Sequence, residues 1–151
     1  MLKFQRPLRD GKDLLKPLAE ACRKHGIKLG FYYSQAQDWT HPGGSAAKGK
    51  QWEPAQKGDM DEYLRTIAVP QIREILTNYG DIAVMWWDTS IGMNKERADM
   101  LLPLLKLQPG IIHNNRLAGD VYECDYSTHE NHIPATGLDY DWETCMTMND
   151  T

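Results

Sequence analysis

The stretch Ile82-Ala83-Val84-Met85-Trp86-Trp87-Asp88 decides the reading of this chain. Six apolar residues follow a glycine-led turn at Gly80 and end in a carboxylate. A continuous apolar run of this length reads as a strand covered on both faces, as in a parallel sheet. Side chains two apart on a strand share a face, so Trp86 and Asp88 point one way and Trp87 the other. In α/β folds ligands bind at the carboxyl ends of such strands, and an aromatic wall beside a carboxylate suits a sugar. The plainer reading is that Asp88 only caps the next turn and both tryptophans are core.

Outward from this strand, the flanking segments alternate between helical and extended patterns. Residues 10–25 carry Leu14, Leu15, Leu18, Ala19, Ala21 and Cys22 at helical spacing, with basic residues at the end and Gly26 as a stop. Residues 27–34 (IKLGFYYS) read as a strand in which Gly30 allows close approach of a neighbour. Residues 35–58 show no period and form a long loop holding Trp39 and Trp52. Asp59 with Glu62 opens a second helix, which Pro70 should kink before Gly80 ends it. After Asp88 a helix from about 94 to 107 contains Pro103, and residues 111–116 (IIHNNR) form a third strand. Residues 118–151 read mostly as loop. The order helix, strand, loop, helix, strand, helix, strand argues for βαβ units and a parallel sheet, either open or a piece of a (β/α)8 barrel.

Composition narrows the function. With 151 residues, 41% hydrophobic and 25% charged, the chain suits one folded domain. Its 17 basic and 21 acidic residues give a net charge of −4 without a basic run, which gives nucleic-acid binding no electrostatic support. No segment has the roughly 18 apolar residues of a membrane helix. The cysteines Cys22, Cys124 and Cys145 lack a paired CxxC spacing, so neither a disulfide framework nor a zinc ribbon is indicated. His129 and His132 with Glu130 or Asp125 could hold a metal, but a solvated pair is the simpler reading. A nucleotide-binding sheet is disfavoured because no G-x-G-x-x-G or phosphate loop follows any strand.

The strand ends collect Tyr32, Ser34, Trp86, Asp88, His113, Asn115 and Arg116, joined by Glu130 and Glu143 from the downstream loops. Retaining glycoside hydrolysis needs such a set: one carboxylate attacks the anomeric carbon and another, about 5 to 5.5 Å away, works as acid and then base. The blocks GIKLGFYYS with DWTHP, LTNYGDIAVMWWDTS, PGIIHNNRL, and THENHIP with DWETCMTMND resemble, in content and order, the α-L-fucosidases of glycoside hydrolase family 29, over roughly residues 8–151.

The resemblance implies a (β/α)8 TIM-like catalytic barrel that releases α-linked L-fucose from glycans or glycoconjugates with retention. It implies no metal or organic cofactor. Asp88, ending the W-F-D-G type motif, is the implied nucleophile; Glu130, at the carboxylate of the T-P-E type block, is the implied acid/base, with Glu143 the alternative. Trp86, Tyr32, Arg116 and Trp39 are the implied substrate-binding residues. The sequence departs from the family pattern at Thr89, where glycine is usual, and at Thr128-His129-Glu130 in place of T-P-E. The upstream H-H-D-G block and the later W-G-Y block are not in the sequence. We therefore expect a fragment of a single catalytic domain, 1–151, comprising about barrel strands 4 to 6, with no second domain. A non-catalytic carbohydrate-binding or inactive remnant is the alternative. Family members suggest a secreted, periplasmic or lysosomal setting, although no signal peptide is visible; nucleic acid and membrane are not expected as partners.

Overall fold

The computed structural model describes residues 12–44, 53–119 and 122–148, so Trp52 lies outside the described residues. Helix α1 (Leu15–Lys24) starts where the Asp13 carboxylate accepts from the backbone N–H groups of Leu15 and Lys16 at 2.9 and 3.2 Å. That contact satisfies amides that would otherwise be orphaned. Its apolar stripe is less buried than the spacing implies. Ala19 is buried, Leu15 packs on the core, and Leu14 and Leu18 remain exposed because no described element covers that side.

Strand β1 (Leu29–Ser34) follows, then the long loop with a 3₁₀ turn at Pro54–Gln56. Helix α2 (Met60–Tyr63) is capped by Asp59, whose side chain accepts from the Glu62 N–H at 2.8 Å. The kink expected at Pro70 takes the form of a π-helical turn, Leu64–Ala68, immediately before helix α3 (Val69–Thr77). Proline has no N–H to give the preceding turn, and the wider π turn absorbs the loss. Strand β2 (Ile82–Asp88) leads to helix α4 (Lys95–Leu101), capped by Asn94. The chain tightens into a 3₁₀ helix, Leu102–Leu107, around Pro103.

Strand β3 covers only Ile112–His113 of the expected 111–116 segment. The downstream region read as loop contains two further strands, β4 (Ser127–Glu130) and β5 (Trp142–Cys145). They were hidden because four polar or mixed residues carry no recognisable period. Strands β1, β2 and β3 pair in that order, all parallel; β4 pairs with β5, also parallel, and an Asn114 to Tyr126 bridge joins β3 to β4. The architecture is a partial α/β arrangement of parallel sheets.

The β1/β2 register places Tyr32 beside Trp86 and Ser34 beside Asp88. It contains a bulge: Leu29 is opposite Ile82 but Gly30 is opposite Val84, leaving Ala83 as the extra residue. A methyl group on Gly30 would stand 3.1 Å from Val84 Cβ and 3.3 Å from its carbonyl oxygen, so any side chain here would crowd the neighbouring strand. On the helix side of the sheet, Ile82, Met85 and Trp87 pack into one core with Leu64, Ala68, Ile72, Leu76, Leu101 and Leu105. Tyr33 shares that side; burial pushes its phenol far up, and it donates to Gln71 Oε1 at 2.8 Å.

Candidate active site

The opposite face of the sheet presents Tyr32, Trp86 and Asp88 near its carboxyl end. The Tyr32 and Trp86 rings stack at 5.4 Å between centroids with a 21° tilt. Tyr32 Oη donates to Asp88 Oδ2 at 2.5 Å. Burial and that contact together raise the Tyr32 pKa, so the phenol keeps the proton it donates.

Arg116 Nη1 donates to Asp88 Oδ1 at 2.9 Å, and Nη2 donates to Glu130 Oε2 at 2.6 Å. The guanidinium also sits 5.2 Å from the centroid of the Trp86 ring, a cation–π geometry. Burial alone would lower the Arg116 pKa, but Glu130, the Cys145 sulfur and Asp88 outweigh it and raise the value. One fixed cation therefore holds two carboxylates and caps an aromatic platform.

Glu143 enters from β5 by a different route. Its Oε1 accepts both the Trp86 indole N–H and the Thr128 hydroxyl, the latter at 2.7 Å. Glu143 thus anchors the edge of the platform, whereas Glu130 touches the arginine. Trp39 is 56% exposed in the turn after β1, at the same end of the sheet. That turn is organised by Asp38, which accepts from the Thr40 N–H and hydroxyl, both at 2.7 Å, and pairs with His41. Burial would raise the Asp38 pKa, but the Thr40 contacts and His41 lower it overall.

Two fully buried amides position this cluster, and neither stands out in the sequence as a site residue. Gln35 Oε1 accepts the Asp88 N–H at 3.2 Å, while its Nε2 donates to the carbonyls of Arg116 and Leu117, both at 2.9 Å. Asn114 accepts the Trp87 N–H and donates to the Trp87 carbonyl and the Thr128 hydroxyl, each at 3.1 Å. The only sequence signal for Asn114 is its place in the IIHNNR block; Gln35 looks like a loop residue. Both brace the backbone under the charged groups, since a buried amide is stable only when its polar atoms are paired.

His113 is held in the sheet, its N–H donating to Asp125 Oδ2 at 2.8 Å. The His129 ring lies edge-on to Trp142 at 5.9 Å and to His132 at 6.2 Å. Among the described residues no three His, Cys, Asp or Glu side chains converge in a metal-holding group, and no helix is long and apolar enough to cross a membrane.

Carboxylates and stacked rings at the carboxyl ends of parallel strands define the chain as an α/β protein with its polar site where that architecture holds ligands. Comparison with known proteins makes the assignment specific. The family model Alpha-L-fucosidase matches residues 6–151, and the chain belongs to that family. Similar solved structures include alpha-L-fucosidase isoenzyme 1 from Paenibacillus thiaminolyticus, at 34% identity and a TM-score of 0.74, over 92% of this chain and 38% of that one. Alpha-L-fucosidase AlfC from Lactobacillus casei, bound to alpha-L-fucose product, is 32% identical with a TM-score of 0.68, over 78% of this chain and 40% of that one. Alpha-L-fucosidase from Vibrio sp. strain EJY3 is 27% identical with a TM-score of 0.76, over 92% of this chain and 26% of that one. The chain thus spans well under half the length of these relatives. No curated protein sequence matches it significantly.

Proposed function

We propose that this chain carries the catalytic carboxylates of a retaining α-L-fucosidase, with β1, β2 and β3 taking the places of about strands 4 to 6 of a (β/α)8 TIM-like barrel. Asp88 is the nucleophile and Glu130 the acid/base. The observation that carries the reading is the Arg116 guanidinium, which holds Asp88 on one nitrogen and Glu130 on the other.

In the first step an Asp88 oxygen bonds to the anomeric carbon as the bond to the leaving oxygen breaks, and Glu130 gives that oxygen its proton. In the second, Glu130 takes a proton from water, the water oxygen bonds to the anomeric carbon, and Asp88 leaves. Each Asp88 oxygen accepts one described hydrogen bond and keeps lone pairs for attack. The Glu130 side chain is 62% exposed, so its carboxyl can turn from Arg116 to a leaving group. Glu143, fixed through Oε1 to Trp86 and Thr128, is the weaker choice for a group that must move protons. Trp86 and Tyr32 supply the stacked surface for the sugar ring, and Trp39 supplies an exposed aromatic surface near the leaving-group side.

The substrate class is a fucosylated glycan or glycoconjugate. AlfC structures hold 4-nitrophenyl-α-L-fucopyranoside and Fucα(1,6)GlcNAc, which supports an aryl fucoside as the test compound. The deciding experiment follows hydrolysis of 4-nitrophenyl α-L-fucoside by the protein encoded in the complete reading frame, using proton NMR of the first-formed sugar. First release of α-L-fucose supports the double displacement; first release of the β anomer, or no cleavage by folded protein, overturns it. Adding azide to Glu130→Ala and Glu143→Ala variants then assigns the acid/base, because only the variant lacking that group forms fucosyl azide faster than it hydrolyses substrate.

A further inference from the structure

Thr89, immediately after Asp88, has a φ of 55°. A β-branched residue rarely adopts this left-handed conformation, which glycine takes at no steric cost. The other non-glycine residue with positive φ among the described residues is Asn131, a type that tolerates the region, and its side chain caps the Thr147 N–H. Such strain persists only where the surroundings enforce it, and it concentrates at functional positions.

The surroundings of Thr89 are a short chain of side-chain hydrogen bonds. Ser34 Oγ donates to Thr89 Oγ1 at 2.7 Å, and Thr89 Oγ1 donates to Gln37 Oε1 at 3.3 Å. Ser34 and Gln37 are the two ends of the turn that follows β1, closed by the Gln37 N–H on the Ser34 carbonyl at 3.2 Å. Ser34 is also the β1 residue paired with Asp88 in the sheet, two positions after Tyr32, whose phenol donates to Asp88 Oδ2. The chain therefore runs from Gln37 through Thr89 to Ser34, the strand partner of Asp88. A glycine at 89 would remove the strain and the hydroxyl together.

We propose that Thr89 is a positioning residue for the reaction at Asp88: its left-handed backbone aims a hydroxyl that links Ser34 to Gln37 and fixes the end of β1 against the Asp88 backbone. This rests on the reading of Asp88 as nucleophile. The assigned role differs from that of a turn residue, because a turn residue at this φ would be improved by glycine.

The test measures kcat, KM and Tm for Thr89→Gly, Thr89→Val and Thr89→Ser with an aryl α-L-fucoside, each rate normalised to folded protein. The expected result is a Thr89→Gly protein as heat-stable as the parent or more so, with kcat lower by about tenfold or more and KM within about twofold. Losing a hydrogen bond that acts mainly in the transition state has that signature. Thr89→Val should fall similarly, and Thr89→Ser, which keeps the hydroxyl, should recover most of the rate. Thr89→Gly with wild-type kcat overturns the proposal, as does a Thr89→Ser protein no better than Thr89→Val. Where Thr89→Val fails to fold, Thr89→Gly and Thr89→Ser decide. A parent protein that does not cleave the fucoside, or cleaves it equally well as Asp88→Asn, overturns the nucleophile assignment, and the role of Thr89 falls with it. Asp88-dependent cleavage that Thr89→Gly leaves unchanged overturns the role of Thr89 alone.

Discussion

The two faces of β2 differ more from each other than most separate elements do. On one, Met85 and Trp87 are completely buried against helices. On the other, Val84, Trp86 and Asp88 are partly open, and the last two make hydrogen bonds or ring contacts to side chains from β1, β5 and the segment after β3. From Met85 to Asp88, past the bulge, the residues thus divide by parity into a pair that holds the fold and a pair that faces the polar site. The difference teaches that apolar residue type alone does not assign a role here: Trp86 and Trp87 are adjacent and chemically identical, and only their direction separates them.

Substitutions on each face can break or sharpen this division. The largest effect is expected from Asp88→Asn, which should lower fucosidase kcat by about a thousandfold or more while stability changes by roughly 1 kcal/mol or less, as for other partly exposed ion pairs. Rate assays and urea unfolding of the same preparation check both halves, and a variant that unfolds would show the faces to be inseparable. Trp87→Ala should do the reverse, removing about 3 to 5 kcal/mol of folding stability through the cavity left in the core; the midpoint of urea unfolding reads this directly. Tyr32→Phe removes only the hydroxyl that donates to Asp88. A hydrogen bond to a charged group is worth about 1.5 to 3 kcal/mol, so kcat/KM should drop by about ten- to a hundredfold with Tm nearly unchanged.

The smallest effect concerns the turn between the faces, where Asp38 binds Thr40 and His41, and the His41 ring lies 6.4 Å from that of Tyr63 on the helix side. The Asp38 pKa is lowered in the fold from its reference of 3.8. Its contribution to stability is therefore fully present above that reference and is lost as pH falls through the folded value. The stability difference between wild type and Asp38→Asn should be clear at pH 6 and shrink below about pH 4, as measured by urea unfolding at each pH.

The same division explains what the sequence made legible. The IAVMWWD strand, the opposite directions of its two tryptophans and the start at Asp59 all follow from local patterns, because residues nearby in the chain determine them. The family blocks likewise brought Tyr32, Trp86, Asp88, Arg116 and Glu130 forward, and these five meet in one cluster. Strands β4 and β5 were not legible, since each has four residues and β4 is fastened by distant side chains: the Thr128 N–H donates to Asn115 Oδ1 at 3.0 Å, and its hydroxyl accepts from Asn114. Gln35 was missed for a related reason. A polar residue just past a strand looks solvated until Asp88, Arg116 and Leu117 come from other strand ends to surround it. The stripe on α1 was readable, but periodicity identifies a side that seeks cover without identifying what covers it.

The bulge at Gly30 and Ala83 works like a gear advanced by one tooth. Partners across a parallel pair share a side, so pairing continued from Leu29 and Ile82 with Ala83 opposite Gly30 would set Tyr32 beside Met85 and turn it toward the helices. The offset instead sets Tyr32 beside Trp86, in step with Asp88. Whether the phenol and the carboxylate meet at all is therefore decided earlier in the ladder, by Gly30 taking Val84 and not Ala83 as its partner. Pairing Ala83 with Gly30 would leave every proposed catalytic side chain in the chain and still separate them.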